Sequence, residues 1–300
     1  MSGHTHQHGH TGAVHRWRLQ VALALTGAFF VLELAVGIWS GALSVLSDAG
    51  HMAADTVGLT VALTASHWAT RPDRTGRRTY GRYRAEIFAA GLSVLLMLVV
   101  CGYVLINAVE RIGSPVSVPA GVLAVVGVVG LVVNLIALTL LRGGSTENLN
   151  VKGAYLEVLA DALGSVGVLL AGLGTWLTGS PLWDPILALA LAVFVGVRAV
   201  RLGREVIGVL GQSAPPGIDP DDAKLRLAGV PGVIEVHDLH LWTLTSGMNV
   251  ATAHLVSAED ADAAEVLVAA STVLREGFGI DHATLQVEPS GSDACQGTAW

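Results

Sequence analysis

Long apolar blocks fill the first two-thirds of the chain, and short alternating units fill the last third. Six blocks, at residues 19–39, 43–68, 87–109, 118–141, 154–177 and 185–200, are apolar enough to be read as membrane-crossing helices, because about 20 apolar residues span the hydrocarbon core. From residue 212 the period changes. "DPDDAKLRLAG" opens on an aspartate start signal and has the apolar spacing of a short helix. "GVIEVHDLHLWTL" and "MNVATAHLVS" alternate and are rich in β-branched residues, with Ser246 and Gly247 between them, the pattern of a hairpin. An amphipathic helix, "DADAAEVLVAASTVLREGFG", and a closing strand, "HATLQVE", complete the order α-β-β-α-β. That order predicts a small α+β domain whose helices cover one face of a three-stranded sheet. So small a unit buries limited surface, so pairing with a second copy is expected.

The fold class expected is therefore a mostly α membrane protein: a six-helix transmembrane bundle followed by a cytoplasmic α+β domain. The boundaries fall at a tail over 1–15, the bundle over 16–211, the α+β domain over 212–290 and a second tail over 291–300, with the main break at the Gly- and Pro-rich "GQSAPPGIDP".

Composition narrows the class. With 52% hydrophobic and 14% charged residues and a mean hydropathy of +0.59, the chain is too apolar for an ordinary soluble domain. Thirteen basic residues fall at one set of span ends, including Arg71, Arg74, Arg77, Arg78, Arg82 and Arg84 in one loop and Arg198, Arg201 and Arg204 after the sixth block; Arg111 alone falls at the other. The positive-inside rule then puts both termini in the cytoplasm, in a multi-pass membrane protein with lipid rather than nucleic acid around it. The polar, His-rich leader lacks the form of a signal peptide, so the first block is expected to stay as an anchor. Two cysteines, Cys101 and Cys295, offer no disulfide framework.

The chemistry lies inside the apolar blocks. "SDAGHMAADT" at 47–56 carries Asp48, His51 and Asp55. Residues four apart share a helix face, so His51 and Asp55 project together. "GAYLEVLADALGSVG" repeats the geometry with Glu157 and Asp161. Two helices that each present two ligands can close a four-ligand N/O site of the kind Zn²⁺ and neighbouring divalent ions accept. Left unpaired in hydrocarbon, four such groups would together cost about 10 kcal/mol even on lenient scales. A divalent cation offsets that cost directly, and protons on the carboxylates offset it in the cation's absence. A site that takes either is what exchange requires. Polar groups that merely hold helices together are usually Ser, Thr, Asn or Gln, and average about 0.6 kcal/mol each.

Lesser candidates accompany this set. Asp48 reads equally as a ligand or as a vestibule residue, and Glu33 as a helix-bonded protonated acid or part of a pathway. Five of the eleven histidines crowd the leader, a metal-binding composition that also suits a tail with no required role. The arginine loop can attract anionic lipid headgroups or pair with carboxylates such as Glu86.

"SGALSVLSDAGHMAADT", "YGRYRAEIFAA", "NVKGAYLEVLADALGSVGV", "VPGVIEVHDLHLWTLTSG" and "HATLQVEP" resemble the cation diffusion facilitator transporters, in particular their bacterial cobalt-zinc-cadmium resistance branch. The resemblance runs from about Arg16 to Pro289, and the paired motifs of the second and fifth blocks are its most specific part. It implies homodimeric metal/proton antiporters with six transmembrane helices and a cytoplasmic ferredoxin-like domain, exporting divalent metal from the cytoplasm. The transport ligands it implies are His51, Asp55, Glu157 and Asp161. Many zinc-transporting members carry His where Glu157 stands; an oxygen ligand there makes the site harder and relaxes discrimination among Zn²⁺, Cd²⁺, Co²⁺ and Mn²⁺.

The resemblance also implies regulatory metal at His237, His254, His282 and Glu288, with Cys295 in a tail where related chains often carry a thiol. His237 and His240, an odd number apart on one strand, are expected on opposite faces. His67 is a further candidate beside the arginine loop. No resident cofactor is expected; Zn²⁺ is the first-choice substrate. Nor is an enzyme expected: an intramembrane metallohydrolase would need an open coordination position and a base, and no H-E-x-x-H motif is present. A passive divalent channel would show rings of acids rather than one compact cluster.

Overall fold

The computed structural model describes residues 11–69, 77, 79–80, 84–114, 116–142, 149–245 and 247–291, and excludes the side chains of 11–19, 58–59, 62–69 and 149–153. Six long helices come first: α1 (Thr11–Ser40), α2 (Leu43–Ala69), α3 (Ala85–Gly113), α4 (Ala120–Arg142), α5 (Leu149–Thr178) and α6 (Trp183–Leu210). Among the described residues, α1 from Gln20, α3, α4, α5 from Ala154 and α6 are long and apolar enough to cross a membrane. The helix α2 runs 27 residues, but part of its C-terminal half lies outside the described side chains. The sixth helix is far longer than its apolar block: it continues through Arg198, Arg201 and Arg204 to Leu210.

The chain divides into two compact units. The first comprises 1–59 and 93–200. Its interior is built from small and branched side chains: Phe29, Val45, Met52, Leu123, Val126 and Val168 form one cluster, and Leu43, Val104, Ala108, Ala188 and Ala192 another. Gly127 on α4 and Gly172 on α5 let these two backbones approach, as small residues do between membrane helices. Outward positions such as Val99, Ile106 and Val125 are more than 60% exposed, an apolar surface suited to lipid rather than water.

At one end of this unit Ser40 closes α1, Gly41 takes a left-handed φ of +67°, and α2 begins at Leu43. The start of α2 is capped from a distant part of the chain. Asp184, at the head of α6, accepts the Leu43 and Ser44 backbone N–H groups at 2.9 and 3.0 Å and the Ser44 hydroxyl at 2.6 Å. Arg111, in the last turn of α3, donates to the Gly41 carbonyl at 2.6 Å and lies 3.4 Å from the same carboxylate.

The second unit comprises 60–92 and 201–300. Its α+β part has the predicted order: α7 (Pro220–Ala228), β1 (Val233–Thr245), β2 (Met248–Ser257), α8 (Ala263–Phe278) and β3 (His282–Pro289). Asp219 caps α7 with Pro220 following, and Asp262 caps α8 by accepting from Ala264 N at 2.7 Å. Gly279, at φ 64°, ends α8 in the left-handed conformation glycine tolerates. Val266, Ala270 and Leu274, four apart, bury one stripe of α8 against Leu227, Val236, Leu241 and Leu255. The sheet order is β1-β2-β3, with β1 antiparallel and β3 parallel to β2; the parallel pair requires the crossover that α8 supplies.

Candidate metal centres

Within the first unit, α2 carries His51 and Asp55 one turn apart, 3.5 Å between Nε2 and Oδ2. His51 is buried and Asp55 is 14% exposed, so this face of α2 points inward as the i, i+4 spacing predicted. Helix α5 carries Glu157, 38% exposed, and one turn deeper Asp161, buried with Oδ1 lacking a hydrogen-bond partner. Asp161 is near enough to Asp55 and Asp48 for their charges to interact.

One residue joins the two helices. Arg198 of α6 donates from one terminal nitrogen to both Glu157 oxygens, at 2.7 and 2.5 Å. Its other terminal nitrogen stands 3.2 Å from His51 Nε2 and 3.6 Å from Asp55 Oδ2. A single guanidinium thus engages three of the four predicted ligands.

Deeper in the unit a second polar layer adjoins Asp161. Asp48, 3% exposed, lies so close to α5 that a Cβ on Gly164 would overlap its carboxylate. Glu33 on α1 is fully buried and lies beside Asp48, with Asp161 near enough for their charges to interact. The Asn134 side-chain amide donates to Ser165 Oγ at 3.2 Å while its own oxygen has no partner.

In the second unit, His237, His254 and Glu288 converge. His254 Nδ1 is 2.9 Å and His237 Nε2 3.6 Å from the Glu288 carboxylate, and the two rings meet edge to face with centroids 5.4 Å apart. Each residue offers a ligand atom, and these atoms all lie within 4.8 Å of one another. Neither nitrogen of the His237 ring makes a hydrogen bond although both are buried. Orphaned nitrogens beside a buried carboxylate fit a divalent ion of the zinc type, which takes imidazole and carboxylate ligands.

His282 is not brought to this group. It begins β3 opposite Val250, whereas Glu288 lies opposite Val256 near the other end, so six residues separate them, on the order of 20 Å of strand. Its ring instead meets Tyr80, with centroids 5.9 Å apart. The expectation for His237 and His240 is overturned. Between them β1 advances three residues while β2 advances only two, from His254 to Thr252. This bulge, with Asp238 at a φ of 55°, restores the parity and puts both histidines on one face. Asp238 stands between the imidazoles of His240 and His254, at 3.1 and 3.9 Å.

Comparison with known proteins gives this geometry a family. A model described as the cation efflux transmembrane domain matches residues 19–210, and one described as the cation efflux protein cytoplasmic domain matches residues 215–290. The chain belongs to the cation efflux family. The metal cation efflux system protein CzcD of Cupriavidus metallidurans is 39% identical over 95% of this chain and 90% of its own. A cadmium, cobalt and zinc/H(+)-K(+) antiporter of Bacillus subtilis is 33% identical over 95% of this chain and 92% of its own. The zinc transporter ZitB of Escherichia coli is 35% identical over 94% and 92%. Cation efflux proteins are transporters, and the apolar helices make this member a membrane protein.

Two polar residues of this cation efflux protein escaped the sequence reading. Arg198 was counted as a charge flanking the sixth span, yet it sits within α6; its place next to Phe194, Val195 and Val197 was the available signal, since an ionisable residue in an apolar helix marks a functional site by default. Asp184 carried no local sign of its role as a cap for α2, 140 residues away in sequence. The leader histidines, His67, Cys295 and Arg71, Arg74, Arg78 and Arg82 lie outside the described residues or side chains. Glu86 accepts a hydrogen bond from the Thr245 hydroxyl at 3.0 Å.

Proposed function

We propose that this protein exports divalent transition-metal cations from the cytoplasm in exchange for protons, with Zn²⁺ the first substrate and Cd²⁺ and Co²⁺ also carried. The gathering of His51, Asp55 and Glu157 around one cationic group, with Asp161 Oδ1 lacking a hydrogen-bond partner a turn deeper, carries the reading. Those four side chains supply one nitrogen and three carboxylates, a donor set suited to zinc and its neighbours. The relatives' names, which speak of cadmium, cobalt and zinc, support the same ions.

In this reading the cation enters from the cytoplasm, exchanges its water for these ligands, and leaves outward when protons take its place. It acts as a transporter rather than an enzyme, in the inner membrane, with both termini cytoplasmic, a leader over 1–15, the transport domain over 16–211, the α+β domain over 212–290 and a tail over 291–300. Two copies pair through the α+β domain. His237, His254 and Glu288 hold a regulatory metal there, which shifts the transport equilibrium by binding one conformational state more tightly than the other. His282, distant along β3, would serve a separate site.

The test is flux into proteoliposomes containing purified protein. An imposed pH gradient drives Zn²⁺ movement, and Asp55→Ala and Asp161→Ala abolish it. Flux that follows voltage and ignores the proton gradient would make the protein a channel. Glu157→His is expected to narrow the preference among Zn²⁺, Cd²⁺, Co²⁺ and Mn²⁺; an unchanged preference refutes the role given to Glu157.

A further inference from the structure

We infer that Arg198 is a tethered counter-cation that competes with the transported ion for the same ligands. The inference rests on His51, Asp55, Glu157 and Asp161 being the transport ligands. The guanidinium takes both oxygens of Glu157, at 2.7 and 2.5 Å, and stands 3.2 Å from His51 Nε2 and 3.6 Å from Asp55 Oδ2. A metal ion needs those same atoms. The single lone pair of His51 Nε2 cannot face an N–H donor and coordinate a cation at once, and a divalent ion set among these ligands would stand a few ångströms from the guanidinium charge, so each state disfavours the other.

The residue type matters. Arginine keeps its charge throughout the physiological pH range and has donors but no acceptor, so protonation cannot switch it off and it can never become a ligand. It can leave only by displacement. Its side chain is 34% exposed and that of Glu157 38%, whereas His51 and Asp55 are 3% and 14% exposed. The guanidinium therefore closes the more open edge of the site, where an arriving cation would meet it first, and the flexible stem of the side chain gives it somewhere to go. Asp161, at the closed end, is the one ligand the guanidinium does not hold.

This arrangement gives Arg198 two effects of opposite sign. It lowers the apparent affinity for metal, since only the fraction of molecules with the guanidinium withdrawn can bind. It also replaces the departing ion, which lets the metal-free carrier neutralise Glu157 and Asp55 without leaving bare charges in a low-dielectric interior. Loss of the arginine then tightens binding and slows the cycle.

The experiment is Zn²⁺ flux in proteoliposomes containing the full chain, comparing wild type, Arg198→Gln and Arg198→Lys. If the guanidinium holds the site in nine molecules of ten, Arg198→Gln lowers KM on the order of tenfold and lowers the maximal rate. Arg198→Lys, which keeps a charge but loses the planar fork, moves KM the same way by less, and it decides the matter should Arg198→Gln fail to fold. A merely structural ion pair would leave KM unchanged or raise it, and either result overturns the inference. Asp161→Asn separates the two levels. Loss of flux in that variant with unmoved KM in both arginine variants overturns the role of Arg198 alone, whereas undiminished flux in Asp161→Asn overturns the ligand set and this inference with it.

Discussion

Asp184→Ala removes a buried carboxylate with four partner groups among the described residues. In the wild type it accepts two backbone N–H groups of α2 at 2.9 and 3.0 Å and a hydroxyl at 2.6 Å, and it pairs with Arg111 at 3.4 Å, all while only 2% exposed. Alanine leaves the Leu43 and Ser44 N–H groups without their acceptor in a place water does not reach. Bonds to a charged acceptor contribute about 1.5–3 kcal/mol each, and breaking a buried pair by removing one partner costs about 3–5 kcal/mol. The bonds share one carboxylate, so their separate values do not add. Arg111 also keeps its 2.6 Å bond to the Gly41 carbonyl, so it is not wholly orphaned. We therefore expect a loss of about 3–5 kcal/mol for Asp184→Ala and roughly 1–2 kcal/mol for Asp184→Asn, which keeps one acceptor oxygen. Thermal unfolding in detergent, followed by tryptophan fluorescence, should place the alanine variant on the order of 10 °C below wild type. A shift of less than about 3 °C would show that α2 does not depend on this cap. Metal binding at His237, His254 and Glu288 should be untouched.

Two further outcomes follow from packing and ligand chemistry. Gly127→Ala would set a methyl 2.6 Å from the Leu169 nitrogen and 2.7 Å from its Cα, backbone atoms that cannot rotate aside; a loss of about 1–3 kcal/mol is expected. Gly121→Ala in the same helix meets nothing within 4 Å and should be neutral or stabilise by about 0.5–1 kcal/mol, so equal effects in detergent unfolding would contradict close α4–α5 packing. Glu288→Gln, made in full-length protein whose membrane site has been removed by Asp161→Asn, should weaken Zn²⁺ binding at least about 10–100-fold by calorimetry. Unchanged affinity would exclude Glu288 as a ligand.

Much of this molecule was written in local patterns. Apolar block length predicted the long helices, and capping residues with period-2 alternation predicted the order α-β-β-α-β, because both depend on neighbours a few residues away. The i, i+4 pairs His51 with Asp55 and Glu157 with Asp161 were legible for the same reason. Tertiary structure decided what lies between elements. Arg198 looked like a flanking charge until α6 proved to continue through it and bring its guanidinium onto α2 and α5. His237 and His240 looked opposed until one extra residue in β1 turned them to a common face, a register effect that strand pairing sets and composition does not. His282 was a metal candidate alongside Glu288, and β3 holds the two six residues apart. Periodicity reports which way a side chain leaves its own backbone; which partner it meets depends on the packing of segments distant in sequence.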